Sequence, residues 1–381
     1  MFLEKIQYKQ YTDEPRKWEL AEIDLGRISL LVGKNSSGKS KTIAIINGLS
    51  ILLSEFVKLP FTDGDYHVTF NLDEEHFRYE LEYKDLKINK EKLYKDNSIL
   101  IEREPDGSGK SLAYNGTYLE FKIPLDELKI NRRDEIQYPY LEAFNFWARH
   151  VRKFDFNSPM GKNTLGYVDK VNKVEIDFNV KNTERLIDTF IKGKKKHGEV
   201  FLNKIIEDFN FIGFNITNID FGSPLSVTFQ VNNPNVEIVG LRIQEKDLPC
   251  MTDQNDMSTG MFRALSIIIH FIFYELENIP GCILIDDIGE GLDFERSTKL
   301  LQLLIRKAEE NKLIQLIMST NDRFVMNYVD LKYWQIIDRE GNTIKYYNIR
   351  NSQKAFEDYK FTGLNNFDFF ASEFFKKGFE K

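Results

Sequence analysis

Cysteine is scarce in this chain of 381 residues, and its few histidines are dispersed. There are two cysteines, Cys250 and Cys282, and Cys282 falls inside an apolar run, so a disulfide framework is not indicated. The five histidines show no pairing at the spacing of metal ligands, and none lies near a nucleophilic serine or cysteine in the sequence. The sequence therefore gives no indication of a zinc site or a hydrolase triad.

Long apolar stretches and an excess of positive charge are missing as well. The longest apolar run, LSIIIHFIFYEL from Leu265, is interrupted by His270 and is shorter than the roughly 20 residues of a membrane span. The N-terminal MFLEKIQYKQ lacks the apolar stretch of a signal peptide. The 52 Lys and Arg against 59 Asp and Glu give a net charge of -7, which argues against a protein that coats nucleic acid. We expect a cytoplasmic protein without a membrane partner.

Hydrophobic residues make up 42% of the chain, enough for a large packed core, and their pattern predicts a mixed α/β fold. Residues 20–32 are typical of two strands, a glycine-rich loop follows, and TIAIINGLSILLSEFV predicts a helix. Residues 66–123 alternate apolar and polar side chains, as antiparallel strands do. Apolar residues at helical spacing over 184–209 predict a short helical lobe, and two strand-like segments follow over 214–243. The stretch 136–180 supports no assignment.

The segment GKNSSGKS matches G-x-x-x-x-G-K-[ST] and lies between a buried strand and a helix. In such a loop the backbone N–H groups surround phosphate oxygens, Lys39 reaches the β- and γ-phosphates and the Ser40 hydroxyl contacts Mg²⁺. A chance glycine-rich turn is the alternative, and the strand and helix on either side argue against it. The predicted phosphate-binding residues are Gly33, Asn35, Ser36, Ser37, Gly38, Lys39, Ser40 and Lys41.

Two aspartates follow an apolar strand in CILIDDIGEGLD. A buried carboxylate is costly unless something pairs with it, and in a P-loop fold an acid at the end of a strand beside the phosphate loop supports Mg²⁺. Asp286 suits that role because Mg²⁺ takes oxygen ligands. An acid pair that only caps the next helix is the alternative. That helix, ERSTKLLQLLIRKAEE, leads to the strand KLIQLIMST, and strand, helix and strand in this order predict a parallel βαβ unit.

A third motif stands at the start of a long apolar helix. In MSTGM, the free N–H groups of Ser258, Thr259 and Gly260, together with the positive end of the helix dipole, can form a second anion site. Taken alone, this pattern is more typical of an ordinary helix N-cap. Its position shortly before the acidic strand end favours the anion-binding interpretation.

In this order, GKNSSGKS, MSTGM and ILIDDIGEGLD resemble the Walker A, signature and Walker B/D-loop motifs of ABC-type ATPase heads. The chain is most similar to the soluble RecF/SMC/OLD-like group of AAA family ATPases, and its opening residues and FTGLNNFDFF near its end add to that impression. The resemblance covers about 1–55 and 240–375. It implies an α/β P-loop NTPase fold of ABC-ATPase type, with a mixed core sheet, an antiparallel β subdomain and a small helical lobe.

The implied organisation is a single composite domain, since no internal repeat or low-complexity linker is visible. It comprises a Walker A lobe at 1–63, an antiparallel β subdomain at 64–135, a helical insert lobe at 136–245, a signature, Walker B and switch lobe at 246–350, and an aromatic tail at 351–381. Packing of the tail against its own head is the simplest expectation, and an exposed tail would be a partner-docking surface.

The resemblance also implies the cofactors and a dimer. ATP and Mg²⁺ would bind at Lys39 and Ser40, Asp286 would support the metal, and Gln137 is the one candidate for the family's magnesium-contacting glutamine. A further implication is that Ser258, Thr259 and Gly260 contact the γ-phosphate of a nucleotide held by a second subunit. The D-loop, Gly291-Leu292-Asp293, would lie at the homodimer interface, with Asp293 as its nucleotide-site residue. A two-fold dimer also has a physical logic, because one chain has two phosphate-binding helix N-termini and one phosphate loop.

Two residues depart from the family pattern. ABC heads usually have a glutamate after the Walker B aspartate as general base, and this chain has Asp287; they usually have a histidine after the next strand, and here Asn321 takes that place. Aspartate is shorter by one C–C bond, about 1.5 Å, and asparagine cannot shuttle a proton. One hypothesis is therefore slow hydrolysis with a long-lived ATP-bound dimer. The alternative is a slight backbone shift that lets Asp287 serve as well as glutamate.

Two weaker features have competing explanations. The basic run KGKKKHG at 192–198 is either a nucleic-acid contact or, as is commoner for such a run, the solvated tip of a helical hairpin. Trp18 and Tyr11 lie at plausible distances before the phosphate loop for stacking on adenine, but burial in the first sheet explains them more simply.

The favoured function is an ATP-dependent dimerisation switch for a separate effector, plausible in bacterial anti-phage defence or DNA maintenance by family analogy. About 60 residues follow Asn321, too few for the TOPRIM nuclease domain of full OLD proteins, so any nucleolytic output is expected from another protein. The alternative is a nucleotide-sensing scaffold that binds ATP with little hydrolysis. A transporter ATPase subunit fits the long antiparallel insertion poorly.

Overall fold

The computed structural model describes residues 1–54, 59, 62–169, 182–227, 233 and 235–377. The strands of the N-terminal part are β1 (Phe2–Gln10), β2 (Trp18–Asp24), β3 (Ile28–Val32), β4 (Asp63–Leu72), β5 (Glu75–Lys84), β6 (Lys87–Lys95), β7 (Ser98–Arg103), β8 (Ser108–Leu112) and β9 (Tyr118–Lys122). Those that follow are β10 (Val151–Asp155), β11 (Gly166–Asp169), β12 (Ile216–Gly222), β13 (Val236–Glu245), β14 (Thr252–Asp253), β15 (Gly281–Asp286), β16 (Ile314–Thr320), β17 (Trp334–Glu340) and β18 (Thr343–Tyr347).

Helices cover both faces of the parallel part of the sheet, and three more of the described helices form the C-terminal segment. They are α1 (Lys39–Leu53), α2 (Tyr140–Arg149), α3 (Leu186–Phe211), α4 (Thr259–Glu277), α5 (Phe294–Glu310), α6 (Arg323–Asn327), α7 (Gln353–Tyr359), α8 (Asn366–Ala371) and α9 (Phe374–Lys377). The predicted first helix is confirmed as α1, which ends at Leu53; the part of that prediction at 55–57 lies outside the described residues.

Fourteen of the described strands form one sheet in the spatial order β10-β15-β16-β3-β17-β18-β2-β1-β4-β5-β6-β7-β8-β9. The first five run parallel, and β15, α5 and β16 form the predicted βαβ unit. From β4 to β9 the strands form an antiparallel meander that continues the same sheet, which confirms the prediction for 66–123. The expected mixed α/β fold is therefore confirmed.

The parallel strands are buried on both faces, and β15 shows why its sequence is a continuous apolar run. Cys282 and Leu284 pack on the side of α1, whereas Ile283 and Ile285 pack on the side of α4. Because side chains alternate between the faces of a strand, a strand covered by helices on both sides has no polar face. The acid at the end of this run, Asp286, is consequently delivered to the carboxyl edge of the sheet.

The stretch 136–180, for which the sequence supports no assignment, contributes α2, β10 and β11. Strand β10 is the outermost parallel strand, and its register places Asp155 opposite Asp286. The two strand-like segments predicted over 214–243 are confirmed as β12 and β13, which belong to a second, smaller sheet with β11 and β14.

Helix α3 is a hairpin of two helices. The backbone leaves helical geometry at Gly198 (φ 55°, ψ −133°), and the rings of Phe190 and Phe201 lie 5.9 Å apart. Eleven residues of a straight helix would separate them by about 16 Å, so the chain reverses. The basic run lies on the first of the two helices, where Lys194 pairs with Asp220 at 2.7 Å and Lys196 pairs with Glu277 at 2.6 Å.

Two apolar segments pack within the fold. By length and composition α4 could cross a membrane, yet 83% of its most apolar window is buried inside the protein, as expected of a core helix. In the C-terminal tail, Phe356, Phe369 and Phe375 are buried in the core on the α4 side, so up to residue 377 packing against the head is confirmed. Phe361 is the exception, since 88% of its surface is exposed.

Candidate nucleotide-binding site

The N-terminus of α1 is open toward the glycine-rich loop. Gly38 precedes the helix with φ 109° and ψ 9°, a left-handed conformation that favours glycine. No side chain caps this end, and the first turn has no acidic residue. The backbone N–H groups and the positive end of the helix dipole are therefore available to an anion, as in phosphate-binding loops.

The side chain of Lys39 folds back onto the phosphate loop that precedes it. Its Nζ donates to the carbonyl oxygens of Gly33 at 2.8 Å and Lys34 at 3.1 Å, and the side chain is buried. Burial lowers the pKa of Lys39, and the carboxylates of Asp287 and Asp286 oppose that shift. An incoming phosphate would offer this ammonium group a stronger, charged acceptor than the two carbonyls.

A cavity of about 490 Å³ opens beside this loop, within the range of small-molecule sites. Burial lowers the pKa of Lys41, and the charge of Arg339 adds to that shift. Three cationic side chains, those of Lys39, Lys41 and Arg339, border the cavity, which suits a polyphosphate. The structure brings most of the predicted phosphate-binding residues together here, since the lining comprises Trp18, Asn35, Ser36, Gly38, Lys39, Ser40, Lys41, Asn321 and Arg339.

Asp286 meets the hydroxyls of two serines at the edge of the sheet. Ser319 Oγ donates to Asp286 Oδ1 at 2.6 Å, and the Ser40 side chain also hydrogen-bonds to this carboxylate. Burial raises the pKa of Asp286; the two serine hydrogen bonds oppose the shift, and the Asp287 and Asp155 carboxylates add to it. A buried carboxylate beside a hydroxyl, with like charges nearby, fits a divalent cation. Ser40 and Asp286 would hold Mg²⁺, which compensates phosphate charge when bound.

Asp287 adopts an unusual backbone conformation and touches two amides. Its φ is 52°, and its N–H donates to Ser319 Oγ at 2.9 Å. Asn157 Nδ2 donates to Asp287 Oδ2 at 2.8 Å, and Asn321 Nδ2 lies 3.5 Å from Oδ1. The carboxylate is therefore held between side chains that follow β10 and β16.

The strand order explains which side chains meet. Strand β16 lies between β3, which leads into the phosphate loop, and β15, so the acidic strand is one strand removed from the loop. Asn321, at the end of β16, accordingly lines the nucleotide cavity and also a neighbouring cavity of about 390 Å³ that contains Asp287.

Gln137 is not brought to this site. It is exposed, its N–H donates to Asp134, which follows the antiparallel meander, and its carbonyl accepts from Tyr114, between β8 and β9 of the meander. The expectation that Gln137 contacts magnesium is therefore wrong. At the sheet edge, the segment from Asp155 to Asn157 occupies the place beside Asp286.

The signature segment begins α4 as an N-cap. The Ser258 hydroxyl accepts from the N–H of Met261 at 3.2 Å, which bears out the capping interpretation, and Ser258 and Thr259 are exposed. Gly260 touches the D-loop of its own chain: a Cβ there would lie 2.2 Å from the carbonyl oxygen of Gly291. Among the described residues that line the nucleotide cavity, none belongs to 258–260.

Asp293 has an intramolecular role as the N-cap of α5. Its carboxylate accepts from the N–H of Arg296 at 2.9 Å and pairs with the Arg296 guanidinium at 2.6 Å. Hydrogen bonds and charge from Arg296 lower the pKa of Asp293. Contact of Asp293 with a second subunit stays a prediction.

The two aromatic candidates for adenine stacking differ in position. Trp18 is buried, as the simpler expectation has it, although its edge lines the cavity and the Lys41 ammonium lies 4.0 Å from its ring centre. Tyr11 is covered by the Arg16 guanidinium at 3.7 Å and is not among the residues that line the cavity.

Three polar residues of this region were missed by sequence reasoning. Ser319 touches both aspartates, Asn157 touches Asp287, and Arg263 donates to the carbonyls of Ser158 at 2.9 Å and Glu290 at 3.1 Å. A signal existed for Ser319, because a serine in an otherwise apolar strand needs a hydrogen-bond partner. No comparable signal marks Asn157, since the sequence does not reveal β10.

Over residues 28–327 the chain matches the protein family described as "AAA domain, putative AbiEii toxin, Type IV TA system". This span includes the phosphate loop, the signature segment, both aspartates of the strand end and Asn321. The chain belongs to this AAA-domain family. It is thus an AAA-type P-loop ATPase head by family, and the resemblance drawn from the three motifs is confirmed at that level. No curated protein matches this AAA domain in sequence.

Solved structures of SMC heads are similar to this AAA domain along most of their length. An SMC head bound to the C-winged helix domain of ScpA shows 15% identity and a TM-score of 0.49, covering 91% of this chain and 97% of that one. The head from Thermotoga maritima shows 14% identity and a TM-score of 0.45, with coverages of 91% and 99%. A head derived from Pyrococcus furiosus, with an extended coiled coil and bound to the C-terminal domain of ScpA, shows 12% identity, a TM-score of 0.50 and coverages of 94% and 99%. At these identities the likeness concerns the fold.

Proposed function

We propose that this AAA domain binds Mg²⁺-ATP at the phosphate loop and hydrolyses it slowly, as a switch that joins two copies while ATP is bound. The observation that carries the proposal is the uncapped N-terminus of α1 beside a cavity bordered by Lys39, Lys41 and Arg339. The Ser40 side chain hydrogen-bonds to the Asp286 carboxylate, and this pair of oxygen donors supports the proposed Mg²⁺ site.

The location of the signature segment supports the proposed second copy. Ser258 and Thr259 are exposed at the start of a long helix, where N–H groups and the helix dipole favour an anion. They do not contribute to the described lining of the chain's own nucleotide cavity. In the proposed homodimer each copy completes the other's site, with Ser258–Gly260 on the γ-phosphate and Asp293 near the interface.

Asp287 and Asn321 are proposed to act on the attacking water, with Asp287 as general base. The Asp287 carboxylate lines the cavity next to the nucleotide cavity, and Asn321 lines both. In the proposal Asp287 accepts a proton from water there, whereas the Asn321 amide can orient water but cannot take up a charge. We expect the rate to be low, because the shorter acid and the uncharged amide replace the more usual glutamate and histidine.

The output is proposed to come from a separate effector protein, in the cytoplasm, in the context of defence against phage or DNA maintenance. The toxin–antitoxin description of the family is in keeping with such a context. The similar Pyrococcus-derived SMC head, bound to a domain of ScpA, is an example of a head with a separate protein partner.

The proposal is tested by nucleotide binding, turnover and size in solution. Lys39→Ala should abolish binding of a fluorescent ATP analogue, and wild-type phosphate release should exceed that of Lys39→Ala. Asp287→Asn should form a dimer in ATP and a monomer in ADP, as measured by size-exclusion chromatography with light scattering. Ser258→Glu should bind ATP yet stay monomeric, because its carboxylate repels the γ-phosphate. A monomeric Asp287→Asn variant in saturating ATP would refute the switch.

A nucleotide-sensing scaffold is the second candidate. The contacts of Asp287 favour it, since each carboxylate oxygen already faces an amide group, which leaves fewer lone pairs for the attacking water. ATP-dependent dimerisation with phosphate release no faster than that of Lys39→Ala would select the scaffold over the enzyme.

A further inference from the structure

We propose that Asn157 is a positioning residue for ATP hydrolysis, which orients the Asp287 carboxylate toward the attacking water. This inference rests on the proposed function and adds a residue that lies outside the three motifs. Asn157 Nδ2 donates to Asp287 Oδ2 at 2.8 Å, while the Asn321 amide lies 3.5 Å from Oδ1. Each oxygen of the carboxylate thus faces an amide from a different neighbouring strand.

Asp287 depends on such neighbours because its own geometry fixes it little. The carboxylate is half-exposed at the edge of a cavity, and the residue follows β15 in a left-handed turn. A general base works only when its lone pair points at the proton that it takes, and misplacement by about 1 Å can cost a 100-fold change in rate. A hydrogen bond to one oxygen sets the rotation of the carboxylate and leaves the second lone pairs free for water.

Asn157 is itself held on both sides. The preceding Phe156 is fully buried, and its N–H donates to the carbonyl of Asp286 at 3.1 Å. The Asn157 N–H donates to Asp155 Oδ1 at 3.0 Å, and Arg263 Nε donates to the Ser158 carbonyl at 2.9 Å. Because its backbone is anchored in this way, the Asn157 amide can fix the orientation of the Asp287 carboxylate. An amide on a loose loop would instead move with the carboxylate.

The segment is also connected to the helix that begins with the signature residues. Arg263 belongs to α4, whose N-terminus carries the signature residues, and its second contact is the carbonyl of Glu290 just before the D-loop. A displacement of α4 on closure of the proposed dimer would therefore move Asn157 and the loop after Asp287 together. This geometry allows the orientation of the base to depend on whether the second copy is in place.

The test is a double-mutant cycle on steady-state ATP hydrolysis. Asn157→Ala should lower kcat about 10- to 100-fold and leave KM for ATP within about 2-fold, because the amide acts on the base and not on the bound nucleotide. Asn157→Asp, which keeps the size but places an acceptor against the carboxylate, should lower kcat at least as much. Asn163→Ala, at an exposed position on the same connection, is the matched control and should keep wild-type kcat.

The cycle decides whether Asn157 works through Asp287. In an Asp287→Ala background, Asn157→Ala should cause no further loss; multiplicative losses, or a loss expressed in KM alone, would overturn the positioning role. Wild-type turnover no faster than that of Lys39→Ala would refute the proposed hydrolysis and this inference with it. If the wild type releases phosphate faster than Lys39→Ala and Asn157→Ala keeps the wild-type kcat, this inference alone is refuted. Thermal melting of each variant with the fluorescent ATP analogue verifies that the fold and nucleotide binding persist.

Discussion

Replacing Ser319 with alanine tests how one buried hydroxyl holds both aspartates at the end of β15. Ser319 is fully buried; its Oγ donates to Asp286 Oδ1 at 2.6 Å and accepts from the N–H of Asp287 at 2.9 Å. A hydrogen bond to a charged group contributes about 1.5–3 kcal/mol, and a buried donor left without its acceptor costs about 1–3 kcal/mol. Since water can partly reach this edge of the sheet, we expect Ser319→Ala to lower the free energy of unfolding by about 3 kcal/mol.

The matched control is Ser266→Ala. Ser266 is equally buried, in α4, and within the described part of the chain its hydroxyl has no hydrogen-bond partner. Removing that oxygen should change stability by no more than about 0.5 kcal/mol, because no bond is lost. Urea unfolding of the two variants at neutral pH provides the comparison. A difference below about 1 kcal/mol would show that the Ser319 hydroxyl does not bridge the aspartates as the structure has it.

The same substitution should weaken magnesium-dependent ATP binding. Burial raises the pKa of Asp286 and the Ser319 hydrogen bond opposes that shift, so its loss raises the pKa further and makes the ionised carboxylate harder to maintain. A change of about 1.4 kcal/mol corresponds to a tenfold change in affinity, and we expect the Mg²⁺ concentration that half-saturates binding of the ATP analogue to rise by about that factor. An unchanged Mg²⁺ requirement would separate Asp286 from the metal.

Two further substitutions test the packing of α4. Gly260→Ala should destabilise the protein by more than about 2 kcal/mol and loosen the D-loop to proteolysis, because its Cβ would lie 2.2 Å from the Gly291 carbonyl oxygen; Gly48→Ala, at a helical position where the nearest atom is 3.4 Å away, should be neutral or stabilising. Lowering the pH from 7 to 5 should destabilise the wild type by about 2 kcal/mol through His270. Burial lowers the pKa of His270 to about 4 from 6.5, so the unfolded chain binds more protons between these values, and His270→Met should remove this part of the pH dependence in urea titrations.

The elements that the sequence predicted are those whose pattern is local. The apolar run of β15, the amphipathic α5 and the capped start of α4 each contain their own signal, and the glycine-rich loop between β3 and α1 does too. Strand β10 lacks one: VRKFD is short, and its Arg152 is 3% exposed although an arginine in a strand suggests a solvent-facing side. This strand is buried because other elements pack over it, and the sequence of the strand alone does not indicate that packing.

The site shows the same division between local and non-local information. Lys39, Ser40 and Gly38 are placed by one loop, so their spacing was enough to predict their meeting. The contacts of Asn157 and Ser319 depend on the strand order β10-β15-β16, which brings Asn157 to Asp287 across 130 positions and Ser319 to Asp286 across 33. The expectation for Gln137 was wrong for this reason, because the segment beside Asp286 is the one at the end of β10, and Gln137 lies in a turn before α2.

The backbone at residue 287 gives a physical reason for aspartate where ABC heads usually have glutamate. After β15 the chain turns back so that Ile288 N–H donates to the Ser319 carbonyl at 2.9 Å, and this turn places Asp287 at φ 52°. Among residues other than glycine, aspartate and asparagine are several-fold enriched in that conformation, because a short polar side chain avoids the backbone and can hydrogen-bond nearby. Here the nearby partners are the amides of Asn157 and Asn321. Aspartate therefore suits this turn and these neighbours. Because its side chain is shorter than that of glutamate, the two amides have to orient its carboxylate toward the attacking water.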